Sequence, residues 1–93
     1  EAVGAEELLW SEKGLDAEDA KVVAYVVATS GSLKQLNLSG NSIGDVGAKA
    51  IAEALRANSS LRALYLGDNS IRDEGAKALR DAVRGRQGFK LLV

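Results

Sequence analysis

Leu33-Lys34-Gln35-Leu36-Asn37-Leu38-Ser39-Gly40-Asn41-Ser42-Ile43 aligns without a gap over Leu61-Arg62-Ala63-Leu64-Tyr65-Leu66-Gly67-Asp68-Asn69-Ser70-Ile71, an offset of 28 residues. The match continues downstream, where Asp45, Gly47, Ala48, Lys49, Ala50, Ala54 and Arg56 recur as Asp73, Gly75, Ala76, Lys77, Ala78, Ala82 and Arg84. Carried 28 residues further it lands on Phe89 and Leu92, so a further strand is expected at 89–93. Carried backward it gives a degenerate copy, in which Leu8, Trp10, Leu15, Ala20, Val23 and Val27 answer Leu36, Leu38, Ile43, Ala48, Ile51 and Leu55. Self-similarity at a period of this length marks a repeat architecture.

Within one unit the apolar spacing changes partway along. Leu36 and Leu38 flank Asn37, the alternation of a short strand with one buried and one open face. After Ile43 the spacing becomes helical: Val46, Ala50 or Ile51, Ala54 and Leu55 form an apolar stripe, while Asp45, Lys49, Glu53 and Arg56 face water. Lys49 stands four residues from Asp45 and Glu53, and Lys77 stands likewise between Asp73 and Asp81. Each such pair supports an exposed helix by roughly a few tenths of a kcal/mol. One strand and one helix cannot bury their own apolar faces. Stacked side by side, such units make a parallel sheet backed by helices over a shared leucine core.

The pattern L-x-x-L-x-L-x-x-N-x-I, followed by x-D-x-G-A-x-A-I/L-A-x-A-L, resembles leucine-rich repeats of the ribonuclease-inhibitor type, a subtype also found in nucleotide-binding oligomerisation-domain-like immune receptors. The resemblance covers residues 33–60 and 61–88 as repeats, 5–32 as a degenerate N-terminal repeat, and 89–93 as a truncated final strand of a single domain spanning 1–93. It implies a short right-handed α/β solenoid, with a parallel β-sheet on the concave face and helices on the convex face. It also implies that Asn41 and Asn69 form a ladder to backbone groups between repeats; buried amides at such a turn need side-chain partners on physical grounds as well. Gly47 and Gly75 are expected to let each helix approach the sheet closely.

The first unit departs from the pattern. Lys13 replaces the ladder asparagine, Asp19 the helical glycine, and Trp10 a leucine. This reads as an end cap, with the indole over the core and Glu6, Glu7 and Glu12 keeping it soluble. The other end reads as uncapped, because Phe89-Lys90-Leu91-Leu92-Val93 stops before its asparagine and leaves an open backbone edge. Charge divides along the same axis. Residues 1–32 hold seven acids (Glu1, Glu6, Glu7, Glu12, Asp16, Glu18, Asp19) against Lys13 and Lys21, a net of −5. Residues 33–93 hold ten bases against six acids, a net of +4, giving an acidic end and a basic end.

Composition narrows the chemistry. The 93 residues leave room for one small domain, and 46% hydrophobic with 27% charged residues is the balance of a folded chain. A net charge of −1 argues against wrapping nucleic acid, and the cluster Arg80, Arg84, Arg86 and Lys90, without stacking aromatics, reads as a solvated helix end. Cysteine and histidine are absent, which removes thiolate chemistry, the usual acid/base and the commonest transition-metal ligand. The oxygen-rich loop Asp68–Gly75 lacks the residue order of a calcium loop, so neither a metal nor a cofactor is expected. Asn37-Leu38-Ser39 and Asn58-Ser59-Ser60 fit the glycosylation pattern by chance rather than use. No serine has a base to activate it, so no catalytic residue is expected. No apolar run reaches membrane-spanning length and nothing resembles a signal peptide, so a cytoplasmic location is expected.

What remains is binding. Strand residues outside the leucine set line the concave face, in columns that read Leu9, Asn37, Tyr65, Val93 and Glu7, Gln35, Ala63, Leu91, with Ser11, Ser39, Gly67 and Asp68 just beyond. Leu9, Gln35, Asn37, Tyr65 and Asp68 are the candidate contacts to a protein partner, with Tyr65 as the anchor. The open edge at Phe89, Leu91, Leu92 and Val93 predicts self-association, as a two-fold dimer first and a head-to-tail ring or filament second. The expected function is a non-catalytic protein-interaction or scaffold module; the alternative is a fragment of a longer leucine-rich-repeat receptor or inhibitor.

Overall fold

The alternating leucines form strands and the alanine-rich stripes form helices, as their spacing dictates. A computed structural model describes residues 7–93 as β1 (Glu7–Leu9), α1 (Ala17–Thr29), β2 (Gln35–Asn37), α2 (Gly44–Ala57), β3 (Ala63–Tyr65), α3 (Asp73–Ala82) and β4 (Lys90–Leu92). Glu1, counted in the acidic charge of residues 1–32, Glu6, counted there and among the solubilising acids, and Ala5, the start of the first unit, lie outside the described residues. The strands pair in chain order and all parallel, one four-stranded sheet. Leu33, Leu36 and Leu38 of one unit and Leu61, Leu64 and Leu66 of the next are almost fully buried with Ile43, Ile51, Leu55 and Leu79. Ala20, Ala24, Ala48, Ala52, Ala54 and Ala82 fill the helical side of this core. No described helix is long and apolar enough to cross a membrane.

Polar side chains stitch both ends of the strands. Asn41 donates to the Trp10 and Leu38 carbonyls (3.0 and 2.8 Å) and accepts the Lys13 and Leu15 N–H groups (2.9 and 3.0 Å). One unit on, Asn69 donates to the Leu38 and Leu66 carbonyls (2.8 and 3.1 Å) and accepts the Ile43 N–H (3.2 Å). Each asparagine therefore ties the end of its own strand to the end of the preceding one, and the buried turn amides are satisfied. A second row runs where the helices hand back to the sheet. Asn58 donates to the Val27 and Ser30 carbonyls (2.8 and 3.0 Å) and accepts the Ser60 and Leu61 N–H groups (2.9 and 2.8 Å).

The same position does the same work in the flanking units with different chemistry. Ser30 accepts the Leu33 N–H at 3.1 Å, and Arg86 donates to the Leu55 and Leu61 carbonyls at 3.1 and 2.9 Å. Val27 and Leu55 are equivalent, so Arg86 reaches the carbonyl that an asparagine would reach. Its guanidinium also lies 5.0 Å from the Phe89 ring centre. Arg86 is thus removed from the solvated basic cluster and assigned to the framework.

The last strand is out of step by one residue. Ala63 pairs with Lys90, Leu64 with Leu91 and Tyr65 with Leu92, an offset of 27. The columns expected to end in Val93 and Leu91 end instead in Leu92 and Lys90, and Leu91 packs half-buried on the core. The shortening arises on the helical side: α3 has 10 residues against 14 in α2. Gly85 and Gly88, both at positive φ, then bring the chain back early. Phe89 precedes the strand and packs on the core rather than forming part of the edge.

Gly47 and Gly75 serve contact between helices, a correction to the expected approach of helix to sheet. A Cβ on Gly47 would lie 2.9 Å from the Ala20 Cβ, and one on Gly75 would lie 3.0 Å from the Ala48 Cβ, each on the preceding helix. Asp19 holds the same position on α1, where no described helix precedes it. Val46 is 62% exposed, and Gly47 and Ala48 take the buried places expected of it. Asp45, expected in water, accepts the Arg72 and Gly75 N–H groups (2.6 and 3.2 Å) and so caps α3 from the neighbouring unit. Lys49 correspondingly pairs with Glu74 of the next unit at 3.0 Å rather than within its own helix.

Candidate functional site

Three surfaces follow from this frame: the open face of the sheet and the two ends of the stack. On the open face the register aligns Glu7, Gln35, Ala63 and Lys90 in one row and Leu9, Asn37, Tyr65 and Leu92 in the next. Gln35 donates to Glu7 at 2.6 Å, and the half-buried Tyr65 donates to Gln35 at a long 3.5 Å, a chain of polar groups across three strands. Asn37 is turned onto its own strand, accepting the Ser39 N–H and hydroxyl (3.0 and 2.7 Å), which leaves it little to offer a partner. Leu9 and Leu92 flank the row at 63% and 50% exposure. Asp68 is exposed in the turn after β3, at φ 57°. The structure thus brings Gln35 and Tyr65 together with Leu9 and Leu92 near them in the strand order, and sets Asp68 in the adjoining turn.

At the C-terminal end α3 and β4 bound a groove of about 750 Å³, lined by Asp73, Lys77, Arg80, Val83, Phe89 and Leu91. The Lys90 N–H donates to Arg62 (2.9 Å), and the Leu92 carbonyl accepts from Leu66 (2.6 Å), so these two residues turn their backbone toward β3. Leu91, between them, directs its N–H and C=O outward. Asp81 accepts Lys77 at 2.9 Å and Arg84 at 2.6 Å. The bond from Lys77 holds its carboxyl below the ordinary value, with desolvation opposing and the positive charges of Lys77, Arg84 and Arg56 acting in the same direction as the bond. On the outer flank of α3, Arg80 takes the position that Ala24 and Ala52 take on α1 and α2.

The N-terminal end differs. A groove of about 420 Å³ is lined by Trp10, Lys13, Leu15, Asp19, Val22 and Val23. The indole packs half-buried against the core, as a cover for that end. Asp16 accepts the Asp19 N–H and Asp19 accepts the Asp16 N–H, both at 3.0 Å, a reciprocal cap on α1. The Asp19 backbone bond holds the Asp16 carboxyl below its ordinary 3.8. These two N–H groups are the equivalents, two units back, of those on Arg72 and Gly75 that Asp45 satisfies. A local pair of carboxylates replaces the neighbour's single one.

Among the described residues no group of acids converges as a metal site. Asn58 and Asp45 escaped the sequence reading. The polar residue recurring at 30, 58 and 86, and the aspartate recurring two residues ahead of each helical glycine, were the signals that pointed to them.

The sequence pattern described as Leucine Rich repeat matches residues 30–52 and 57–79. No curated protein matches the sequence. Among solved structures, leiomodin-1 actin-binding site 2 is similar, with a TM-score of 0.83 at 23% identity. The alignment covers 94% of this chain and 51% of that one, so this chain spans about half its length.

Proposed function

The chain is a leucine-rich-repeat protein, and from that premise we propose that it is a non-catalytic protein-interaction module that binds a protein on its open sheet face and associates with itself through β4. The observation that carries the reading is the row Leu9, Asn37, Tyr65 and Leu92 on a rigid sheet, interrupted as a hydrophobic surface only at Asn37, bordering an edge strand whose Leu91 N–H and C=O point outward. Strands hold their side chains at about 4.8 Å spacing without ordering cost, which suits recognition of a protein surface. Tyr65 is the anchor, since an aromatic ring with few rotatable bonds contributes much area at small entropic cost. Leu91, Leu92 and Val93 form the self-association edge. Neither a nucleic acid nor a membrane is a partner in this reading, and its setting is the cytoplasm.

Light scattering over a concentration series tests the self-association. The expected result is a mass above 9.7 kDa that falls to the single-chain value in Leu92→Lys; a single-chain mass at high micromolar concentration contradicts it. For the open face, capture of a partner by wild type is expected to be lost in Tyr65→Ala, and equal recovery from both removes the assignment.

A second reading, a stretch of a longer array, draws support from Asp73, which repeats Asp45 and stands ready to cap another helix. Arg80, in place of a small alanine, weighs against a helix stacking there at the same distance. Further 28-residue units in the coding sequence after Val93 would support this reading, and a stop codon there removes it.

A further inference from the structure

Among the described residues neither β1 nor β4 has a strand paired on its outer edge, so the sheet alone permits two assemblies. In a head-to-tail stack, β4 of one copy would lie parallel to β1 of the next, setting Lys90 beside Glu7, Leu91 beside Leu8 and Leu92 beside Leu9. That pairing is favourable in charge and in apolar contact. The helices decide otherwise.

In such a stack α3 would play the part of α2, and α1 of the next copy the part of α3. Asp73 would then take the place of Asp45, and Asp19 the place of Gly75. Within the structure the Asp45 carboxylate oxygen lies 2.6 Å from where a Gly75 Cβ would be. Asp19 carries that Cβ and a carboxylate beyond it, so the stack would drive one carboxylate into another. The two N–H groups that Asp73 would seek, on residues 16 and 19, are already taken by the Asp16–Asp19 cap. A third obstacle lies on the other partner. Ala52, 4% exposed, lets α2 and α3 approach; its counterpart on α3 is Arg80.

We propose, resting on the self-association reading above, that the second copy docks by a two-fold axis through β4, and that Asp16 and Asp19 close the N-terminal end to stacking. The sheets then continue antiparallel across the axis, each Leu91 exchanging N–H and C=O with Leu91 of the second copy, and Lys90 lying opposite Leu92. The α3 helices run antiparallel, which sets Asp73 at the start of one beside Arg80 and Arg84 at the end of the other. Phe89 and Leu91 lose their solvent exposure. Such a contact is the same patch on both copies and closes at two chains, whereas the head-to-tail contact leaves ends free and continues to grow.

The test is sedimentation equilibrium of the full chain over a wide concentration range, with Leu92→Lys in parallel and circular dichroism to confirm that the variant folds. Leu92 is half exposed, and in the two-fold pair its replacement would face Lys90 of the second copy. The expected result is a mass that levels at two chains in wild type and stays at one in the variant. Mass that rises without levelling overturns the two-fold docking and leaves self-association standing. A wild type that stays at one chain overturns both. A dimer that survives in a folded Leu92→Lys places the contact elsewhere and overturns the proposal.

Discussion

The Asp45 carboxylate on α2 accepts the Gly75 N–H on α3 at 3.2 Å, and the same oxygen lies 2.6 Å from where a Cβ on Gly75 would stand. Absence of a side chain at one position and a carboxylate one unit earlier are therefore a single device. It caps the next helix and draws it close at once. α1, with no described helix ahead of it, replaces the device with the Asp16–Asp19 pair.

An exposed helical Gly→Ala change ordinarily stabilises by about 1 kcal/mol. At Gly75 the sign reverses. The added methyl meets Asp45, Ile71 and Ala48 at 3.0 Å or less, and overpacking of this kind costs about 2 kcal/mol, for a net loss of about 1 kcal/mol. Urea unfolding of Gly75→Ala measures it, and a stabilised variant would show that the helices are not in close contact.

Asn58 and Asn69 are buried and bonded to backbone groups of two units each. Replacement by alanine strands several buried carbonyl and N–H groups, and each change is expected to lower stability by about 3 kcal/mol. Chemical denaturation checks this, with Ser42→Ala in an exposed turn position as the near-neutral comparison. An Asn58→Ala loss no larger than that of Ser42→Ala would remove the second row from the account.

Asp16 titrates below its ordinary 3.8 in the folded chain because the Asp19 N–H and its neighbours stabilise the ionised form. Its contribution is therefore complete above the unfolded value and disappears as pH falls through the lower, folded value. Asp16→Asn keeps a capping oxygen but does not titrate. The stability of wild type is expected to fall toward that of Asp16→Asn as the solution is acidified through this range. Parallel denaturation curves with one constant difference at every pH would show that the capping carboxylate is not linked to folding.

Arg86 ties the last turn by donating to the Leu55 and Leu61 carbonyls. Arg86→Ala is expected to cost about 2 kcal/mol, most of it from the stranded carbonyls, whereas Arg84→Ala, which within the single chain loses an exposed ion pair with Asp81, is expected to cost the monomer less than about 1 kcal/mol. Equal effects on the unfolding midpoint would return Arg86 to the solvated cluster.

The two intact copies made the solenoid legible, because leucine alternation followed by a helical stripe has one economical folding. The ladder role of Asn41 and Asn69 came instead from the resemblance to the ribonuclease-inhibitor type of repeat, together with the need of buried turn amides for side-chain partners. What the pattern hid lies between units. Asp45 looks like any surface acid until the neighbouring helix is set beside it, and Gly47 gives no sign of which layer it approaches. The slip at β4 was hidden differently: Leu91 and Leu92 are interchangeable in a leucine count, and only the shortened α3 decides which of them faces the core. Asn58 carried a misleading pattern, the glycosylation triplet, whose Ser60 is in fact a hydrogen-bond partner in the turn.

Amide hydrogen exchange at Leu91 tests the central claim most directly, because its N–H is the one donor within β4 that faces away from the sheet. If β4 is the contact between copies, exchange at Leu91 slows as protein concentration rises, while an exposed amide such as that of Gly31 exchanges at an unchanged rate. Exchange at Leu91 that stays fast and independent of concentration, in a sample whose Lys90 and Leu92 amides are protected by β3, would contradict the account.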